Sequence, residues 1–169
     1  MMEKWDLFDR NRKMLGKTVF RGEPIEEGCY YLGVAICVVN EAGQMLLTFR
    51  DPAKKVFPCT WENPGGAAQA GDTSSGAAVR ELREETGLQA PEEELKLLDS
   101  IWGKRSVLDV YLWQPKGEAG PIVLQPGETC DYKWVDRKEL DRMLDAGEIA
   151  ASIVPNMRRI WPKLCEVMQ

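Results

Sequence analysis

The residues best suited to chemistry lie together between Trp61 and Leu88, in the stretch WENPGGAAQAGDTSSGAAVRELREETGL. Arg80 is followed by three carboxylates, Glu81, Glu84 and Glu85. A helix turns through about 100° per residue, so Glu84 and Glu85 fall on either side of Glu81 within an arc of about 100°. Like charges at these separations destabilise an isolated helix by about 0.2–0.5 kcal/mol per pair. A divalent cation reverses the sign of that effect, and hard cations such as Mg2+ and Mn2+ take oxygen ligands. The ordinary alternative is a solvated acidic face, with Arg80 and Arg83 as surface partners. What favours the cation is the preceding Pro64-Gly65-Gly66, read as a sharp bend whose exposed carbonyls can join a metal site beside the helix.

The flanking residues delimit that helix. Asp72 or Thr73 can cap its N-terminus, because a side-chain oxygen accepts from an otherwise unpaired backbone N–H. Gly87 suits the C-terminal stop, since glycine adopts the left-handed conformation at little cost. Ala78, Val79 and Leu82 occupy an arc beside the carboxylates and are expected to pack on a core.

Taken as a pattern, Gly66, five residues, Asp72, seven residues, then Arg80-Glu81-Leu82-x-Glu84-Glu85-x-Gly87-Leu88 resembles the Nudix box. Asp72 stands where that family has Glu. The resemblance implies metal-dependent hydrolysis of a diphosphate linkage in a nucleoside diphosphate-linked or similar small metabolite. By position it assigns Glu81, Glu84 and Glu85 to metal binding and catalysis, Arg80 to orienting them, and the Gly65 carbonyl to a metal. A later acidic ligand is also implied, and Glu128, six residues before Trp134, fits it; Asp131 competes. The resemblance covers about residues 5–146, and its N-terminal part is similar to a subgroup that shares features with isopentenyl diphosphate isomerases. Those isomerases carry a Cys-Gly-His segment after the tryptophan, where this chain has Asn63-Pro64-Gly65-Gly66 and no histidine at all. Isomerase chemistry and a noncatalytic nucleotide sensor are the competing readings. On analogy with the subgroup, the N-terminal hairpin is expected to serve a homodimer.

Diphosphate hydrolysis needs an activated water, neutralised phosphoryl oxygens and a stabilised leaving group, which carboxylate-held Mg2+ or Mn2+ can supply. Glu81 and Glu84 both remain open as the base, and a loop acid is the alternative. The basic segment Arg50-Asp51-Pro52-Ala53-Lys54-Lys55 precedes the box. Arg50 and Lys55 are its candidate phosphate-binding residues, the first as a bidentate donor and the second as a point charge.

The surrounding elements must position these groups. With 169 residues, 44% hydrophobic and 29% charged, the chain suits one globular domain over residues 1–169. A net charge of −5 argues against a nucleic-acid polymer as partner. No apolar run reaches the roughly 20 residues that cross a bilayer, and MMEKWDLFDR is too acidic and mixed for a signal peptide. Five cysteines without CxxC spacing fit reduced thiols in the cytoplasm. A hairpin is expected at about residues 5–22 and strands at Tyr30–Val39 and after the turn Asn40-Glu41-Ala42-Gly43. A second hairpin, Lys96–Trp102 with Ser106–Trp113, and a short strand Tyr132–Val135 follow. A helix over DRKELDRMLDAG precedes a helical segment at about 152–168 that Pro162 kinks or divides. Together these predict an α/β (α+β) fold, an α/β/α sandwich with a mixed sheet. Tyr31, Val34, Ile36, Val38 and Cys37 are read as core, and Trp61 or Trp102 as a candidate substrate border.

Overall fold

The computed structural model describes residues 2–169. The β-branched run at its centre forms β3 (Tyr31–Val38) of a four-stranded sheet. Its order is β6 (Gly65–Ala67), β3, β8 (Ser106–Trp113), β7 (Lys96–Trp102). β3 runs parallel to β8 and antiparallel to β6, so the sheet is mixed. β7 and β8 form the expected antiparallel hairpin around Gly103. A second sheet holds β5 (Trp61–Glu62), β4 (Met45–Arg50) and β9 (Thr129–Val135), all antiparallel. β1 (Lys4–Phe8) and β2 (Met14–Phe20) make the N-terminal hairpin as a separate two-stranded sheet.

Strand alternation divides the interior into two layers. Val34, Ile36 and Val38 face α1 (Ser74–Thr86), whose Ala77, Ala78 and Leu82 are buried against them. Cys37, Val110 and Leu112 face the other way, toward α2 (Arg137–Ala146) and α3 (Val154–Cys165), represented there by Met143, Met157 and Leu164. The result is the expected α/β/α sandwich. Thr73 rather than Asp72 caps α1, its hydroxyl accepting from the Gly76 N–H, and Gly87 ends it at φ 74°. Asp136 and Gly147 cap α2 in the same way.

Two expectations change. Pro64-Gly65-Gly66 is not a free bend, since Gly65–Ala67 pair with β3 as an edge strand. Helix α3 runs unbroken through Pro162. The carbonyl that proline leaves without its helical donor is that of exposed Arg158, four residues back, where water can replace it.

The N-terminal hairpin is fastened to the sandwich by a buried charge. Asp109 on β8 is 1% exposed and receives both Arg12 guanidinium nitrogens at 2.7 and 2.6 Å. Ser74, the first residue of α1, and Ser100 on β7 also donate to it. Burial works to raise the Asp109 pKa, but the bonds from Arg12, Ser100 and Ser74 outweigh it and hold the carboxyl below its ordinary range. A carboxylate whose pKa is lower in the folded chain stabilises the fold above its unfolded value of about 3.9. That contribution drains away as pH falls through the lower folded value. Arg12→Ala should therefore cost about 2–3 kcal/mol at pH 7. Urea denaturation should show the gap from the parent protein narrowing as the pH falls from about 3.9 through the lower folded value.

Candidate active site

Helix α1 presents its acidic face to the edge strand β6, and Arg80 binds the two together. Its guanidinium donates to Asp72 at 3.0 Å, Glu81 at 2.9 Å, Glu84 at 3.2 Å and the Ala67 carbonyl at 3.1 Å. Asp72, the short residue of the motif, thus serves the arginine. Across the gap the strand has to be glycine. A Cβ on Gly66 would lie 2.5 Å from the Glu81 carboxylate, and one on Gly65 would lie 2.4 Å from the Val34 carbonyl oxygen.

Glu85 sits deepest, at 8% exposure, and accepts from the Gly65 N–H at 3.1 Å. Antiparallel alternation explains why that N–H is free. Pro64 and Ala68 flank the strand with bonds to Ile36 and Leu32, so the N–H and C=O of Gly65 point away from β3. Burial, and then the charge of Glu62, push the Glu85 pKa well above the ordinary carboxylate range; Glu81 and Glu128 add to this, and the Gly65 N–H opposes it. Glu81 and Glu62 are raised as well, each first by burial, with Arg80 and Arg50 respectively opposing.

Glu128 reaches this cluster because its loop is tied to the end of α1. The Gln125 N–H and the Thr129 hydroxyl donate to the Glu85 carbonyl, and the Val123 N–H donates to that of Thr86. Glu128 is ion-paired with Lys54. Gly65, Glu62, Glu81, Glu84, Glu85 and Glu128 all line one cleft of about 700 Å³. Among the described residues, no three acidic or sulfur side chains stand close enough to hold an ion in their present rotamers. Glu81 is turned to Arg80, Glu128 to Lys54 and Glu62 to Arg50.

The NUDIX domain matches residues 30–157, which takes in Glu62, Glu81, Glu84, Glu85 and Glu128 of the cleft and both sheets of the sandwich. The chain belongs to the NUDIX family. It is 32% identical over 148 residues to an uncharacterized Nudix hydrolase of Listeria monocytogenes, covering 87% of this chain and 88% of that one. A solved structure from Deinococcus radiodurans superposes with a TM-score of 0.76 at 24% identity, covering 94% of this chain and 99% of the other. A Francisella tularensis bifunctional NMN adenylyltransferase/ADP ribose pyrophosphatase, solved with AMP and a manganese ion, shares the fold. It superposes with a TM-score of 0.65 at 17% identity, over 84% of this chain and 43% of that one.

Within this Nudix fold the candidates from the sequence separate. Glu81, Glu84, Glu85, Gly65 and Glu128 come together in the cleft, whereas Asp131 is exposed outside it. Arg50 lines the cleft, but its guanidinium is engaged by Glu62 at 2.6 Å and by the Val56 and Phe57 carbonyls. Lys55 is exposed and lies outside the cleft lining; Lys54 lines it instead, because the loop folds back onto Arg50 and turns one lysine in and the next out. Tyr31 also departs from its expected core position, lining the cleft at the open start of β3, and Trp102 borders it while Trp61 does not. Trp61 packs beside Phe49 under Lys133. The residue that sequence reasoning missed is Glu62. β5 is only two residues long, and it is the pairing of Glu62 with Thr48 on β4 that puts it on the same face as Arg50.

The tight approach at Gly66 gives a test. Gly66→Ala has to displace the Glu81 carboxylate, a flexible chain end, so the fold should survive. A misplacement of about 1 Å at a catalytic group can cost about a hundredfold in rate. Diphosphate hydrolysis should fall by that order while the melting temperature stays within a few degrees (about 1 kcal/mol or less).

Proposed function

We propose that this chain, a Nudix pyrophosphohydrolase, hydrolyses the diphosphate linkage of a nucleoside diphosphate-linked or similar small phosphorylated metabolite with Mg2+ or Mn2+. The observation that carries this reading is Glu85. It is raised in pKa first by its burial and then by Glu62, Glu81 and Glu128, and has no ion pair to any lysine or arginine among the described residues. An acid-rich pocket of oxygen donors with an outward backbone carbonyl at Gly65 suits a hard divalent cation. The donor set therefore fits the metal in type, and Gly65, Glu81, Glu84, Glu85 and Glu128 are the residues assigned to hold it. When bound, such a cation polarises phosphoryl oxygens and acidifies water.

The chain's own groups do the rest. Arg80 spreads one positive charge over Asp72, Glu81 and Glu84, so the cluster stays assembled before substrate arrives. Glu81 or Glu84 takes the proton from the attacking water. Attack at one phosphorus breaks one P–O bond of the anhydride and yields two phosphorylated products. Lys54 and Arg50 reach phosphoryl oxygens by exchanging their present partners Glu128 and Glu62, both of which line the same cleft. Isomerase chemistry is disfavoured because no cysteine lines the cleft among the described residues, and Cys59 is exposed on the loop beyond it. Five unpaired cysteines support a cytoplasmic setting. No helix among the described residues is long and apolar enough to cross a membrane.

The test is a panel of nucleoside di- and triphosphates, dinucleoside polyphosphates, ADP-ribose, nucleotide sugars, NADH and CoA, with the products identified. At least one should be cleaved with Mg2+ or Mn2+ and spared after chelation. Glu85→Gln should lower the rate by about a hundredfold or more, and without metal it should be no less stable than the parent, since it removes a buried like charge. Full activity in that variant would remove Glu85 from the site. Tight nucleotide binding with no turnover of any compound would favour a sensor.

A further inference from the structure

An open strand edge is a template for another strand, and most edges of this fold are closed by the chain itself. β1 exchanges bonds with Tyr30 through Phe8 and receives the Ala70 N–H at Lys4. β5 exchanges bonds with Glu148 and Ala150 through Trp61. The Gly65 N–H of β6 goes to Glu85, and Lys163, Arg159 and Arg12 cover β7 at the Leu98 carbonyl, Asp99 and Ser100. β2 is blocked at Phe20, whose N–H goes to Glu23, and its one charge, Lys17, is paired with Glu26. The outer edge of β9 has no such cover. Arg50 gives its N–H to Thr60 on the β5 side of β4, whereas Asp51 gives its own to Glu128 on the β9 side. Odd-numbered residues of β4 therefore bond to β9. Phe49 and Leu47 take Asp131 and Lys133, their register partners, and the backbone groups of Tyr132 and Trp134 turn outward. No other backbone group meets them among the described residues. The Tyr132 N–H has only the neighbouring Asp131 carboxylate, at 2.8 Å. Tyr132 is 42% exposed, and Cys130 and Asp131 are exposed beside it.

We propose that the outer edge of β9 pairs antiparallel with the same edge of a second copy of this chain, about a two-fold axis at Tyr132. A strand that meets its own copy has to be complementary to itself. In hydrogen bonding it is. Tyr132 bonds to Tyr132 of the second copy, and Trp134 bonds to the second copy's Cys130, the bulged residue that β4 leaves without a register partner. In charge it is as well. The residues between the bonded ones oppose each other as non-bonded pairs, whose side chains lie closer. These pairs set Asp131 against the second copy's Lys133, and Lys133 against its Asp131, an arrangement of opposite charges that stabilises a ladder. An axis at Asp131 or at Lys133 would set like charges together, so the charges select the axis at Tyr132. Both side chains can turn to the new partner. Lys133 is 30% exposed and rests on the Trp61 ring at 4.3 Å, with Glu139 at 4.0 Å. Asp131 gives up only the Tyr132 N–H, which the second copy's Tyr132 carbonyl accepts instead.

Sedimentation of the full chain over a range of concentrations tests the pairing, with circular dichroism to establish that each variant is folded. The parent should show a monomer–dimer equilibrium. Asp131→Lys and Lys133→Asp each turn the attractive contacts on both sides of the axis into repulsive ones, and each should raise the dimer dissociation constant about tenfold or more. Combining Asp131→Lys with Lys133→Asp restores opposite charges in the same register, and should return the constant to within about threefold of the parent. Tyr132→Pro removes an outward N–H that β4 does not use, and should leave the chain monomeric where the parent is dimeric. A parent that stays monomeric throughout would overturn the proposal in favour of a strand from another protein. A dimer indifferent to the single charge changes, or one that the combined variant fails to restore, would overturn it in favour of another surface.

Discussion

Arg80 is the contact on which the rest of the cleft depends. One guanidinium with 18% of its side chain exposed holds Asp72, Glu81, Glu84 and the Ala67 carbonyl. The arrangement joins two elements far apart in function, a helix that supplies charge and an edge strand that supplies backbone. Without a cation at that point the acidic face of α1 would repel itself and the strand carbonyls would face it unpaired. A lysine could not substitute, because its three donors are too few for four partners, whereas the arginine fork makes five bonds to them.

The closeness of helix and strand sets a second constraint, which falls on Gly65 and Gly66. Gly66 lies flat beneath the Glu81 carboxylate, and Gly65 turns its N–H to Glu85 instead of into the sheet. Edge position is what makes this possible, since a central strand would have both groups bonded to a neighbour. The same glycines that read as a turn in sequence are therefore needed as strand. Their missing side chains, rather than their flexibility, are what the site uses.

How much of this was legible follows from the range of each interaction. The β7–β8 hairpin and the caps of α1 and α2 are encoded within a few residues, so Lys96–Trp102, Ser106–Trp113, Gly87 and Gly147 could be read directly. The spacing of Arg80, Glu81, Glu84 and Glu85 is likewise a property of one helix. Separation of β3 and β4 into different sheets was not legible, because the turn at Asn40–Gly43 looks the same whether the strands pair or part. The loop after β4 was harder still. Arg50 reads as a free phosphate donor until the fold brings Glu62 and the Val56 and Phe57 carbonyls onto it. Glu62 depends on the pairing of β5 with β4, and no local pattern marks it.

The pairing of charges in the cleft has one further consequence. Glu81, Glu62 and Glu128 each hold a cationic side chain, and Glu85 alone depends on a backbone N–H. Replacing three of those ion pairs by apolar groups would be nearly neutral for stability, whereas an unmatched buried carboxylate is costly. A site selected for stability alone would not leave Glu85 as it stands. Its environment makes sense when the deepest carboxylate is kept for an ion and the surrounding carboxylates are held by exchangeable partners. On that reading Lys54 and Arg50 do double service. They neutralise Glu128 and Glu62 in the present arrangement, and they would be freed for phosphoryl oxygens if those carboxylates turned away. Ligation and substrate binding would then favour each other because both require the same ion pairs to open.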